Sequence, residues 1–361
     1  MLIRMRPGSK ELLLLLTLIF VISLAGCTST TEKKAEAPPA YVPEVLPIPA
    51  PPTGFEPMPE PPDNPTTPEK VALGRQLFFD KRLSFDGSRS CYSCHLNERG
   101  LTDGLPTAVG AGNKPLTRSS PSLWNIGYHK EFYWDGRSPT LEAQAQAAWA
   151  GGNMGGKGHE GEIEGKINAI PGYRAQFQKV FAADATVPTI MKAITAYERT
   201  ILCGDTPWDK FQQGDASAIS DEAKRGWEIF RGKAGCGTCH AGVLLTDLQY
   251  HNVGVGMEPP KPDQKPDEGR KNFTKEDKDT GAFKTPTLRS VSKSAPYFHN
   301  GSKATLEEAV DFVLGGGFPN KYLDKKNLKK VKLTAKERND LLAFLRSLDC
   351  GVELKEPKLP E

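Results

Sequence analysis

Two stretches of this sequence place a pair of cysteines and a histidine at fixed spacing, Cys91-Tyr92-Ser93-Cys94-His95 and Cys236-Gly237-Thr238-Cys239-His240. Cysteines so spaced can form thioethers with the two vinyl groups on one porphyrin edge. The next residue then turns its imidazole under the ring to ligate iron. A thioredoxin-like redox pair or half of a zinc site has the same cysteine spacing. Two such motifs in an exported chain, with no further C-x-x-C to complete a zinc site, favour covalent c-type haem. Cys91, Cys94, Cys236 and Cys239 are then the attachment points, and His95 and His240 the proximal ligands of two haem c groups.

Export is read from the first 27 residues. Arg4, Arg6 and Lys10 precede an apolar run from Leu12 to Leu24, and Leu24-Ala25-Gly26-Cys27 closes it with small residues before a cysteine. That ending resembles the lipobox of bacterial lipoproteins, in which Cys27 would be acylated and become the mature N-terminus. An ordinary cleaved signal or an uncleaved anchor helix is the alternative, although the run is short for a bilayer span. Either way the body lies outside the cytoplasm, in the periplasm or cell envelope, with the membrane reached through the lipid. Residues 28–65 are proline-rich and read as a semi-rigid tether, a spacer without a partner of its own.

The elements that must position the two motifs are helices. Thr67-Pro68-Glu69 opens one, Thr140 another that ends near Trp149, and Ser220 one that leads into Trp227 and Phe230. Apolar residues at Ile190, Ile194, Tyr197 and Ile201 follow helical spacing. Thr305 with Glu308 and Thr334 with Glu337 both fit a capping box. No sustained alternation argues for a sheet, so the fold class is mostly α with long loops. A helix ending in Leu77-Phe78-Phe79 precedes the first motif and one ending in Ile229-Phe230 the second, a weak internal repeat that supports two domains. The net charge of +3 gives no reason to propose nucleic acid as a partner. Of the remaining cysteines, Cys203 and Cys350 either pair as a disulfide or stay as two buried thiols.

Further stretches carry a resemblance. Gly74-Arg75-Gln76-Leu77-Phe78-Phe79-Asp80, Arg118-Ser119-Ser120-Pro121, Phe132-Tyr133-Trp134-Asp135-Gly136-Arg137, Lys284-Thr285-Pro286-Thr287-Leu288-Arg289 and Ala295-Pro296-Tyr297-Phe298-His299-Asn300-Gly301 resemble the bacterial di-haem cytochrome c peroxidase and MauG family. The resemblance implies two cytochrome c-like domains, a peroxidatic one over residues 66–208 and an electron-transfer one over 209–361. It also implies reduction of hydrogen peroxide at the first haem, with a small cytochrome c or copper protein as electron donor to the second. Trp134 matches the tryptophan that relays electrons between the haems, and Gln144 a glutamine that orients peroxide. His299 matches a residue expected behind a ligand or near a haem propionate rather than on the iron, while Trp124 and Trp149 read as core aromatics and His129 as a surface or packing residue.

Three positions depart from the family pattern. Ala111 stands where the resting peroxidatic haem usually has a histidine ligand, so the first haem is expected to be open. Asn153, in Gly151-Gly152-Asn153-Met154, stands where a distal glutamate moves protons. His159, Glu160 or Glu162 could substitute if the glycine-rich loop folds back. Val313 stands where the second haem takes methionine or tyrosine, and Met257 and His251 are the replacement candidates for a sixth ligand. A calcium ion is also implied between the domains, where Ser119 replaces an asparagine and Ser294 and Pro296 could offer backbone oxygens. The leading expectation is thus a peroxide-consuming oxidoreductase. The rivals are a tethered di-haem electron carrier and a MauG-like oxidative modifier of a partner protein.

Overall fold

A computed structural model describes residues 41–258 and 266–361. The export segment, Cys27 and residues 28–40 lie outside that range. Among the described residues the helices are α1 (Pro68–Phe79), α2 (Leu141–Ala150), α3 (Glu160–Asn168), α4 (Pro171–Phe181), α5 (Val187–Glu198), α6 (Pro207–Gln212), α7 (Asp221–Arg231), α8 (Lys271–Thr274), α9 (Leu306–Leu314) and α10 (Ala335–Arg346). Among the described residues sheet is confined to β1 (Tyr250–His251) and β2 (Phe283–Lys284), paired antiparallel with Tyr250 opposite Lys284. No described helix is long and apolar enough to cross a membrane.

The helix starts are chemical. Thr67, Thr140 and Ser220 each accept a hydrogen bond from a first-turn N–H. Thr305 with Glu308 and Thr334 with Glu337 form reciprocal capping boxes. Each such cap is worth about 1 kcal/mol and satisfies N–H groups that the helix itself cannot.

Packing repeats in the two halves. α1 crosses α5 at Gly74, where an added Cβ would lie 1.9 Å from the Ala193 carbonyl oxygen; α7 crosses α10 at Gly226, 1.9 Å from the Asp340 carbonyl oxygen by the same construction. Only glycine allows backbones to approach so closely. A first core joins Leu73, Leu77 and Phe78 of α1 to Tyr173, Phe177, Ile190 and Ile194. A second joins Trp208, Phe230, Leu306, Leu341 and Phe344. Fully burying one such side chain stabilises by roughly 1.5–3 kcal/mol.

Two long-range ties were open or unread in the sequence. Cys203 and Cys350 form a disulfide, Cα–Cα 5.6 Å, which links the segment after α5 to the segment after α10. Beyond it the C-terminal tail runs back over the first core, where Asn97 and Leu354 exchange two 2.8 Å hydrogen bonds.

The proline-rich stretch corrects an expectation. Its described part, from Tyr41 onward, is not a partnerless spacer but lies along the body. The Tyr41 hydroxyl donates to the Lys358 carbonyl at 2.7 Å, and Glu44 pairs with Arg75 at 2.9 Å. Asn64 is fully buried and donates to Glu142 and to the Lys192 carbonyl. Proline lowers the entropy lost on docking such a strand, which favours this arrangement.

Candidate functional site

Each C-x-x-C-H motif is a tight 3-10 turn, Cys91–Cys94 and Cys236–Thr238. The Ser90 and Ser93 side chains brace the first, with the Ser93 hydroxyl accepting from the Ser90 N–H at 3.0 Å. All four motif cysteines are unpaired.

The two histidines are held alike. His95 Nδ1 lies 2.9 Å from the Leu101 carbonyl oxygen and His240 Nδ1 lies 3.1 Å from that of Leu245. A carbonyl only accepts, so Nδ1 carries the proton and Nε2 is left as the donor atom for a metal. Leu101 and Leu245 both adopt left-handed backbone, at φ 61° and 52°. That conformation is costly for leucine, and it turns each carbonyl toward its imidazole. Burial is the leading cause that lowers both imidazole pKa values and keeps the rings neutral, as ligation requires.

Each motif opens into its own cavity. The first, about 1300 Å³, is lined by Cys91, Cys94 and His95 together with Gln144, Asn153 and Met154. The second, about 280 Å³, is lined by Cys236, Cys239 and His240 and by the α9 residues Leu306, Ala309, Val310 and Val313. Paired thiols, a neutral imidazole with a free Nε2 and apolar walls fit a covalently held haem in each cavity.

Between the cavities stand Trp134 and His299, which border both, as do Ser119, Ser120 and Pro121. The two occupy equivalent turns. Tyr133 before Trp134 has φ 68° and Phe298 before His299 has φ 71°. The Trp134 indole N–H donates to the Ser119 carbonyl at 2.9 Å. The His299 ring stacks on Phe283 with centroids 3.6 Å apart, and burial lowers its pKa to about 4.

Around the first cavity, Gln144 projects from α2 and Asn153 from the glycine-rich loop after it. Ala111 is buried beside that loop, its N–H donating to the Asn153 carbonyl at 3.0 Å, and it does not line the cavity. The glycine-rich loop does not bring in a substitute acid: His159 pairs with Glu162 at 3.2 Å on the outer face, and Glu160 is exposed there. Trp124 and Trp149 belong to the first core, Trp149 also bordering the cavity, and His129 stacks on Phe132.

The two candidates for the sixth ligand of the second haem are placed differently. His251 borders the second cavity, but Nδ1 meets Asp324 at 2.6 Å and Nε2 meets Asp247 at 2.9 Å. Carboxylate oxygens thus engage both ring nitrogens. The Met257 sulfur packs against Gly281, outside the cavity lining. Val313 lies on the lining and has no ligating atom. At the implied calcium position, the Ser119 hydroxyl is already committed to the Phe298 carbonyl at 2.9 Å.

One lining residue escaped the sequence reading. Glu198 lies on α5 with Met191 and Ile194, an i, i+3, i+7 stripe that borders the first cavity. Its Oε2 is buried without a hydrogen-bond partner, as is Nη1 of the neighbouring Arg199, whose Nη2 donates to Glu142 at 2.7 Å. Burial raises the Glu198 carboxyl from 4.5 to about 8, with Glu142 adding to the rise and Arg199 opposing it. The native state therefore holds a proton that the unfolded chain releases between about pH 5 and 8. Stability falls as pH rises through that window, by at most about 1.4 kcal/mol per pH unit. Glu198→Gln should flatten the dependence, which melting curves from pH 5 to 9 would show; an unchanged slope would refute the assignment.

The family model described as di-haem cytochrome c peroxidase matches residues 68–217. The chain is 39% identical to cytochrome-c peroxidase IdrP1 of Denitromonas iodatirespirans, covering 94% of this chain and 96% of that one. It is 37% identical to the methylamine utilization protein MauG of Methylorubrum extorquens, over 84% and 85% of the two chains. The crystal structure of a MauG-like protein associated with microbial copper homeostasis superposes with a TM-score of 0.77 at 33% identity, over 83% of this chain and 95% of that one. The family carries two haem c groups, the number of cavities and motifs found here. The likeness in sequence and in fold spans both halves, and this chain belongs to the di-haem cytochrome c peroxidase and MauG family.

Proposed function

We propose that this protein reduces hydrogen peroxide at the His95 site, with electrons that enter at the His240 site from a small redox protein and pass by Trp134. The observation that carries the reading is the large first cavity, into which Gln144 and Asn153 bring their side-chain amides, with alanine in place of the usual histidine ligand and set outside the lining. When bound, the two haems supply the two electrons that, with two protons, turn one peroxide into two waters. The chain's own residues bind and orient. His95 presents Nε2 to the iron, and Gln144 and Asn153 offer amide donors to a peroxide oxygen. Trp134 fills the space between the cavities.

Asn153 cannot relay a proton as a carboxylate does, and this observation favours a second reading, a di-haem electron carrier. Optical and EPR spectra of the oxidised protein, followed by stoichiometric peroxide, separate the two. A high-spin haem that reacts at once supports the peroxidase. Two low-spin haems indifferent to peroxide, even after half-reduction, would leave the carrier. Asn153→Glu should raise peroxide turnover at least tenfold, since a placed general acid–base contributes roughly 10²–10⁴; a rate equal to wild type would show that protons arrive by another route.

The protein is further proposed to be exported and held at the envelope membrane through acylated Cys27, a reading supported by the N-terminal sequence and by the Cys203–Cys350 disulfide. A calcium ion between the halves would rest on the Ser294 and Pro296 carbonyls.

A further inference from the structure

The loops that follow α2 and α9 close the two cavities in equivalent places but differ in charge. After α2 the loop is Gly151-Gly152-Asn153-Met154-Gly155-Gly156-Lys157-Gly158, with a single lysine. After α9 the chain turns through Lys325, Lys326, Lys329, Lys330 and Lys332 before α10, and all five are exposed. None of the five forms a salt bridge among the described residues. Asp324, the one acid within this run, is engaged with His251 and Asn327. The run also borders the second cavity, through Asp324, Asn327, Leu328 and Lys329.

Five ammonium groups close in sequence, with no salt-bridge partner among the described residues, repel one another and gain when an acidic surface covers them. Such rim charges act chiefly on association rate, which they can raise by one to three orders of magnitude at low ionic strength. From this placement we propose that the lysine run at the mouth of the second cavity is the docking surface for an acidic, one-electron carrier protein. The inference rests on the proposed entry of electrons at the His240 site and adds the charge of the partner. In each docking event the carrier loses one electron and the second haem gains it.

The test uses the holoprotein in the absence of peroxide. Reduction of the second haem is followed by stopped-flow absorbance with two reduced probes, plastocyanin, an acidic copper protein, and mitochondrial cytochrome c, a basic haem protein. The expected result is a faster reaction with plastocyanin whose rate constant falls at least tenfold between about 10 and 300 mM salt, as screening shortens the reach of the charges. Lys325→Glu/Lys326→Glu/Lys330→Glu should lose at least tenfold with plastocyanin while its reduction by ascorbate with a small phenylenediamine mediator is unchanged. A salt-independent rate, or preference for the basic cytochrome, would overturn the proposal. So would sedimentation with phosphatidylglycerol vesicles that depends on the three lysines while plastocyanin ignores them, since the run would then serve a lipid surface. Loss of peroxide consumption with the small mediator as donor would instead sink the peroxidase reading and leave the docking result standing.

Discussion

His95→Ala should retain two covalently attached haems and yet consume peroxide at least about a thousandfold more slowly than wild type, a loss of about 4 kcal/mol in transition-state stabilisation. In the proposed arrangement attachment depends on Cys91 and Cys94, whereas the nitrogen left to face the metal is His95 Nε2, with Nδ1 hydrogen-bonded to Leu101. Removing the imidazole therefore separates holding the haem from tuning it. A haem-stained gel and a pyridine haemochrome count establish attachment, and stopped-flow peroxide consumption gives the rate. His240→Ala is the control, because it should slow turnover with a protein donor while the oxidised first site still reacts with peroxide. Retained turnover in His95→Ala together with its loss in His240→Ala would place the peroxide chemistry at the second haem.

Cys203→Ala/Cys350→Ala should destabilise the protein by roughly 3–5 kcal/mol, because the bond closes a sequence separation of 147 residues and long loops lose most entropy when cross-linked. Cys203 and Cys350 are both buried in the first core, so the variant also loses packing there. For a chain of this size the midpoint of thermal unfolding should fall by about 10 °C. Calorimetry of the oxidised holoprotein measures it, and a shift under about 2 °C would show that the bond contributes little. The haem spectra at room temperature should be unchanged, since neither cysteine lines a cavity.

Local signals in the sequence were read correctly where the physics is local. The two C-x-x-C-H motifs were legible from their own spacing, and each forms a tight turn beside a cavity. The starts of α1, α2, α7, α9 and α10 were legible because a Ser or Thr cap and the residues behind it lie within one turn. α3 was missed, since Glu160–Asn168 contains two glycines and no side chain caps it, and its Ile163 and Ile167 become helical by burial in the first core. α4 opens on a proline behind Ile170 and likewise has no side-chain cap.

What depends on residues distant in the chain was decided by the fold. The sequence could list Cys203 and Cys350 as leftovers, but only their approach across the ends of α5 and α10 makes them a bond. His251 looked like a ligand until Asp247 and Asp324 took both of its nitrogens. Glu198 carries no sequence signal of its own, and only the fold sets it at the first cavity with a buried oxygen lacking a partner. The proline-rich strand from Tyr41 looked free until Lys358 and Arg75 received it. Motif spacing and caps pointed by themselves to a c-type haem and to the capped helices, because those signals span a few residues. Burial, pairing and the state of each ionisable group belong to the tertiary structure, because desolvation and partner geometry are set by elements that meet only when the chain is folded.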